Sequence, residues 1–249
     1  MSIKKHIPNT ITSCNLLCGC IATGLAFQIP VSDSSGNYLL AFLFVILGAV
    51  FDFFDGFAAR LLHVSSPIGK ELDSLADDIT FGLAPATIVY SMILGYAAPL
   101  GLQWVAYLAF LIAAFSALRL AKFNLDERQS LGFIGLPTPA NALFWGALAV
   151  ALENRTTPDS PFALYLPDWL TPQLMVAALL CGVIFSCWIL VSEVPMFALK
   201  FKQYGWRGNE LRYSFVAVSA LLLALLGWAG FSAVIVLYVI LSVLTQRKA

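Results

Sequence analysis

Between residues 213 and 245 the chain reads YSFVAVSALLLALLGWAGFSAVIVLYVILSVLT, without one charged side chain. A bilayer core is crossed by a helix of about 20 apolar residues, so this run is long enough for two short spans and must turn, at Gly227-Trp228. Comparable apolar runs recur along the whole chain. In hydrocarbon every backbone N–H and C=O has to find its partner within the protein, which makes helices the natural form of such runs. With 60% hydrophobic and 11% charged residues in 249, the chain also lacks the polar surface of a water-soluble globule. The expected fold is all-α: a single integral membrane domain, residues 1–249, built as a polytopic helical bundle.

Eight spans are expected, at roughly 9–29, 38–60, 79–97, 102–121, 136–152, 174–193, 213–226 and 229–245. The start resembles a signal peptide only superficially. Its apolar run is long, Pro8 and Asn9 open it and no small-residue cleavage pattern closes it, so an uncleaved first span is expected. With the N-terminus inside, Lys4, Lys5, Arg60, Lys70, Arg119, Lys122, Arg128, Lys200, Lys202, Arg207, Arg212, Arg247 and Lys248 are all cytoplasmic, and of the 14 basic residues only Arg155 is outside. That distribution places both termini on the cytoplasmic side and supports the break at Gly227-Trp228. The five cysteines, Cys14, Cys18, Cys20, Cys181 and Cys187, all fall in spans; Cys18 and Cys20 read as small packing residues rather than a metal pair, and no disulfide framework is expected.

Against this apolar background, FDFFDGFAARLLHVSSPIGKELDSLADD, residues 51–78, gathers six of 14 carboxylates. Asp52, Asp55, Gly56, Ala59 and Arg60 follow i, i+3, i+4, i+7, i+8 spacing and share one helix face. After HVSSP, where Ser66 and Pro67 mark a helix start, Gly69, Asp73 and Asp77 repeat at i, i+4, i+8. An ionised Asp in a span costs about 2.5–3.5 kcal/mol on insertion scales, and four facing acids with one nearby Arg cannot neutralise one another. Clustered hard oxygens without His or Cys suit Mg²⁺ or Mn²⁺. Small residues at Gly56, Ala59 and Gly69 leave room for a bulky anionic ligand. Glu71 and Asp78 lie off these faces and read as solvated, and His63 in the linking loop reads as a surface residue.

Asp52, Asp55, Gly56, Ala59, Arg60, Gly69, Asp73 and Asp77 together make D-x2-D-G-x2-A-R-x8-G-x3-D-x3-D, and this pattern resembles the CDP-alcohol phosphotransferase family without a departure. The resemblance implies a six-helix catalytic core, here residues 1–195, followed by a cytoplasmic loop and two further spans over 196–249. It implies that Asp52, Asp55, Asp73 and Asp77 hold two divalent ions, Mg²⁺ or Mn²⁺, with Asp77 also the general base. Asn9, Thr12, Asn15, Gly56, Ala59, Arg60, Ser66 and Gly69 would bind the CDP-lipid. IPNTITSCNLLCG at 7–19, ALRLAKFNLD at 117–126 and GFIGLPTPANA at 132–142 resemble the serine-using branch. The resemblance thus implies CDP-diacylglycerol as donor, L-serine as acceptor and a homodimer in the cytoplasmic (inner) membrane with its active site on the cytoplasmic side.

Read from the residues alone, these segments leave more open. Arg119 and Lys122 serve equally as positive-inside anchors or as a grip on an amino-acid carboxylate or lipid phosphate, with Asn124 beside them. Thr12 and Asn15 suit nucleotide contact or helix packing. A phosphorylated acceptor, glycerol 3-phosphate or an inositol phosphate, would demand more convergent basic residues than Arg119, Lys122 and Arg128, which favours serine. A divalent-cation transporter would call for inverted repeats or acids on both sides of the membrane; the acids here cluster on one. Membrane lipids are the expected surroundings, and no nucleic-acid partner is expected.

Overall fold

The computed structural model describes residues 6–30, 37–64, 66–126, 133–154, 167, 169–197, 205 and 209–246. Of the sequence expectations, those on Lys4, Lys5, Arg128, Arg155, Lys200, Lys202, Arg207, Arg247 and Lys248 lie outside these residues. The helices are α1 (His6–Gln28), α2 (Asn37–Leu61), α3 (Pro67–Asp77), α4 (Ala84–Ala97), α5 (Leu111–Leu125), α6 (Thr138–Asn154), α7 (Pro172–Val191), α8 (Glu210–Leu226) and α9 (Trp228–Gln246). Among the described residues, six helical stretches are long and apolar enough to cross a membrane: His6–Gln28, Asn37–Leu61, Pro67–Leu100, Gln103–Leu125, Pro172–Val191 and Trp228–Thr245. The chain is a polytopic helical membrane protein. Two of the eight expected spans, α6 and α8, are 17 residues each.

The acidic segment and the third span, read from sequence as separate, form one helical stretch of 34 residues. A π-helical turn, Asp78–Leu83, joins α3 to α4. Pro85 explains the widening: in a regular α-helix its ring would crowd the carbonyl four residues earlier, and a wider turn relieves that clash without ending the helix.

Apolar residues surround α4 on every side, and a helix of that kind belongs at the centre of a bundle. Ala84, Ala86, Ile88, Val89, Met92 and Ile93 are all buried. The most apolar window of the Pro67–Leu100 stretch is 67% buried, against 22–44% for the other five, whose remaining surface suits lipid. Small residues let the first two helices close on the π turn. A Cβ on Gly19 would lie 2.5 Å from Thr80 Oγ1, and one on Gly48 2.5 Å from Thr80 Cγ2. The Thr80 hydroxyl donates to the Asn15 carbonyl at 3.0 Å. Close approach of this sort compensates for the missing hydrophobic drive between helices in lipid.

Two short strands, β1 (Phe133–Ile134) and β2 (Pro195–Met196), pair antiparallel with Phe133 opposite Met196. From α9, Tyr238 donates its hydroxyl to the Phe197 carbonyl at 3.1 Å, and Ser242 Oγ accepts from the Phe197 N–H at 3.4 Å. Both backbone groups of the residue after β2 are therefore held by side chains one helical turn apart. Gly227, with φ 54°, carries the break between α8 and α9 where the sequence places it.

Candidate active site

Ser66 starts α3 as its N-cap, its Oγ accepting from the Gly69 N–H at 3.0 Å with Pro67 in the first turn. This cap sets the helix rotation that turns Asp73 and Asp77 toward α2. One carboxylate oxygen each from Asp52, Asp55 and Asp73 lie within 4.8 Å of one another. Asp77, one turn further on, stands against Asp52. The four acids named from the sequence thus meet between two helices.

Behind them, α1 supplies their fixed partners. Its buried positions, Pro8, Thr12, Asn15, Gly19, Ala22 and Ala26 among them, recur every three or four residues and form one inward face. Thr12 donates to Asp55 Oδ2 at 2.6 Å, a charge-assisted bond, and Asn15 Nδ2 donates to Asp77 Oδ1 at 3.2 Å. Thr12 and Asn15 are 3% and 0% exposed, and both side chains are engaged with carboxylates. Asn15 lies off the cavity described next. Thr12 has a share in both.

A cavity of about 210 Å³ opens beside the acids. Asn9 and Thr12 line it from α1, Gly56 and Ala59 from α2, and Ser66 and Gly69 from the start of α3, with Asp55 and Asp73 at its acidic end. At Gly69 a Cβ would meet Ser66 Oγ at 2.9 Å and Asn9 Oδ1 at 3.0 Å, so a side chain there would crowd the cap and close the wall. Arg60 is exposed and does not line the cavity. Lys70 does line it, although its sequence signal was only that of a cytoplasmic anchor. Its place next to Gly69 in the motif was the available clue.

The other acceptor candidates separate. Arg119 and Lys122 border a second cavity, of about 380 Å³, between α5 and the end of α7. Arg119 is 6% exposed, its guanidinium 5.6 Å from the centre of the Phe123 ring. Its charge acts on Asp77 and Tyr238, and its Nε has no hydrogen-bond partner. Asn124 points elsewhere, donating to Ser74 Oγ on α3 at 2.8 Å and tying α5 to the acidic helix. Glu71 is exposed, and His63, just beyond α2, is exposed with φ 51°, in keeping with a surface role. Asp78, read from sequence as solvated, is instead half-buried with its Oδ1 tucked against Gly82, because it opens the π turn packed inside the bundle.

The donor set fits a divalent metal on its own chemistry. Three buried or half-buried carboxylates converge, Asp73 Oδ1 and Asn15 Oδ1 are buried without partners, and the cluster is all oxygen. Burying such charges uncompensated is costly, and a divalent ion answers the cost.

A polytopic helical membrane protein whose aspartates converge on a polar cavity at the ends of two helices is the class that fold and site define. Residues 5–188 match the CDP-alcohol phosphatidyltransferase family, and the chain belongs to that family of enzymes. It is 40% identical over 155 residues to the CDP-diacylglycerol–serine O-phosphatidyltransferase of Bacillus subtilis, covering 62% of this chain and 78% of that one. The protein of the same name from Helicobacter pylori is 37% identical over 59% of this chain and 58% of its own length. The one from Mycobacterium leprae is 30% identical over 76% of this chain and 57% of its own. The chain therefore spans most of the Bacillus relative and less than two thirds of the other two.

Proposed function

We propose that the chain transfers the phosphatidyl group of CDP-diacylglycerol to the hydroxyl of L-serine, giving phosphatidylserine and CMP. The observation that carries the reading is the convergence of Asp52, Asp55 and Asp73 at the end of a cavity walled by the motif's small residues. The relatives' names supply the donor and acceptor. Asn9, Gly56, Ala59, Ser66 and Gly69 form the cradle for the CDP moiety, with Arg60 and Lys70 toward its phosphates. Asn15 is a positioning residue for Asp77, and Thr12 for Asp55.

Asp52, Asp55, Asp73 and Asp77 would hold two divalent ions, Mg²⁺ or Mn²⁺, which when bound neutralise the pyrophosphate and stabilise the leaving phosphate. The serine oxygen bonds to the phosphorus that carries the diacylglycerol, the bond from that phosphorus to the bridging oxygen breaks, and CMP leaves. The serine hydroxyl proton passes to the Asp77 carboxylate. A carboxylate suffices as base when the alcohol loses its proton late, in the transition state. Arg119 and Lys122 orient the serine carboxylate, and Asn124 steadies their helix against α3.

In this reading residues 1–195 are the catalytic core, residues 196–249 add the loop and two spans, and both termini and the site face the cytoplasm. A homodimer in the inner membrane completes it. The testing experiment follows CMP release by the purified protein in detergent with CDP-diacylglycerol and Mg²⁺ or Mn²⁺, offering serine, glycerol 3-phosphate or inositol phosphate. Release with serine is the expected result. Release with a phosphorylated alcohol alone would overturn the acceptor and leave the donor chemistry standing.

A further inference from the structure

We propose that Glu193 receives the ammonium group of the acceptor, so that the cavity between α5 and the end of α7 selects the zwitterion of an α-amino acid. The inference rests on serine as acceptor and names the residue that distinguishes it. Glu193 lies beyond the 5–188 family match, at the exposed lip of the cavity that Arg119 and Lys122 line from the other side.

The cavity walls carry opposite charges. On α5 stands a guanidinium that is 6% exposed and has an unpartnered Nε, with an ammonium one turn later at Lys122. A buried Arg of this kind calls for an anion with planar, fork-matching geometry, which a carboxylate supplies. Across the cavity Glu193 presents an acid. Asp126 is on the lining as well and has an interaction within the protein, which leaves Glu193 as the choice here.

Opposed charges discriminate by repulsion as well as attraction. A phosphomonoester would satisfy Arg119 and Lys122 but bring added negative charge toward Glu193. An α-amino acid satisfies both walls, with its hydroxyl free to turn toward Asp77, on which the charge of Arg119 already acts. A hydroxy acid without the amino group would satisfy one wall only.

The test compares serine with 3-hydroxypropionate, which keeps the hydroxyl and carboxylate and lacks the ammonium, in the full-length protein with CDP-diacylglycerol and Mg²⁺. The wild type is expected to prefer serine strongly. In Glu193→Gln the KM for serine should rise about tenfold, the scale of one charge-assisted hydrogen bond, while the KM for CDP-diacylglycerol and the use of 3-hydroxypropionate stay as they were. Glu193→Asp should recover part of the preference. An unchanged serine to 3-hydroxypropionate ratio in Glu193→Gln, with serine used normally, overturns the ammonium assignment alone. A parallel rise in both KM values would show a general structural effect and overturn it too. Wild-type protein that uses glycerol 3-phosphate and not serine overturns the acceptor reading, and the Glu193 role with it.

Discussion

Asp77 differs from the other three aspartates in its partner. Asn15 donates to its Oδ1, so Asp77→Asn keeps the hydrogen bond and the shape while removing the basic oxygen. CDP-lipid binding is expected to persist and turnover to vanish; measurable turnover in this variant would take Asp77 out of the role of base. Thr12→Val is the complementary change, isosteric but without the 2.6 Å bond to Asp55. Hydrogen bonds to charged groups contribute about 1.5–3 kcal/mol, so Asp55 should lose orientation and the Mg²⁺ concentration for half-maximal activity should rise about tenfold or more. A metal titration of activity, supported by direct Mn²⁺ binding, checks this. The acids themselves were legible in sequence because i, i+4 spacing puts residues on one face. Their partners were not: Thr12 and Asp55 are 43 positions apart, and only the packing of α1 against α2 brings them together. Nor could spacing separate Asn124, bonded to Ser74, from Arg119 and Lys122 on the cavity.

The first two helices meet the π turn through glycine, and that contact sets where the acids stand. Gly48 has Thr80 Cγ2 at 2.5 Å and Asn15 Oδ1 at 3.0 Å from the place its Cβ would occupy. Gly48→Leu must push α2 away from α1, moving Asp52 and Asp55 relative to Asn15 and Asp77. Overpacking typically costs about 1–3 kcal/mol, so the melting temperature in detergent should fall and activity with it. A variant of unchanged melting temperature and full activity would mean that the contact does not set the site. Hydropathy located the helices, since long apolar runs have few other choices in a bilayer. It missed that α3 and α4 are one stretch, because charged residues near Asp73 and Asp77 end an apolar run without ending a helix. The β1–β2 pairing has two residues per strand, too short to leave any periodic signal, and it depends on α9 holding Phe197 from far along the chain.

Across the whole molecule, the proposed reaction needs a lipid donor and a water-soluble acceptor to meet at one membrane face. The acids, Lys70 and both cavities gather at the ends of α2, α3, α5 and α7, while Gln103 begins the stretch whose other end is Leu125. Positive-inside counting puts the Lys122 end in the cytoplasm and the Gln103 end outside. In intact cells a membrane-impermeant maleimide should therefore label Gln103→Cys and spare Lys122→Cys, and permeabilised cells should label both. The native cysteines that are exposed, Cys20 and Cys181, lie within α1 and α7 and serve as the unlabelled background, replaced by Ala if they react. The reverse pattern would place Arg119 and the acids at the outer face, where a cytoplasmic pool of serine could not reach them. Orientation is thus tied to the proposed substrate: Arg119 and Lys122, which by positive-inside counting would hold their helix end inside, also border the cavity, so in the proposed reaction anchoring and acceptor binding would draw on one set of charges.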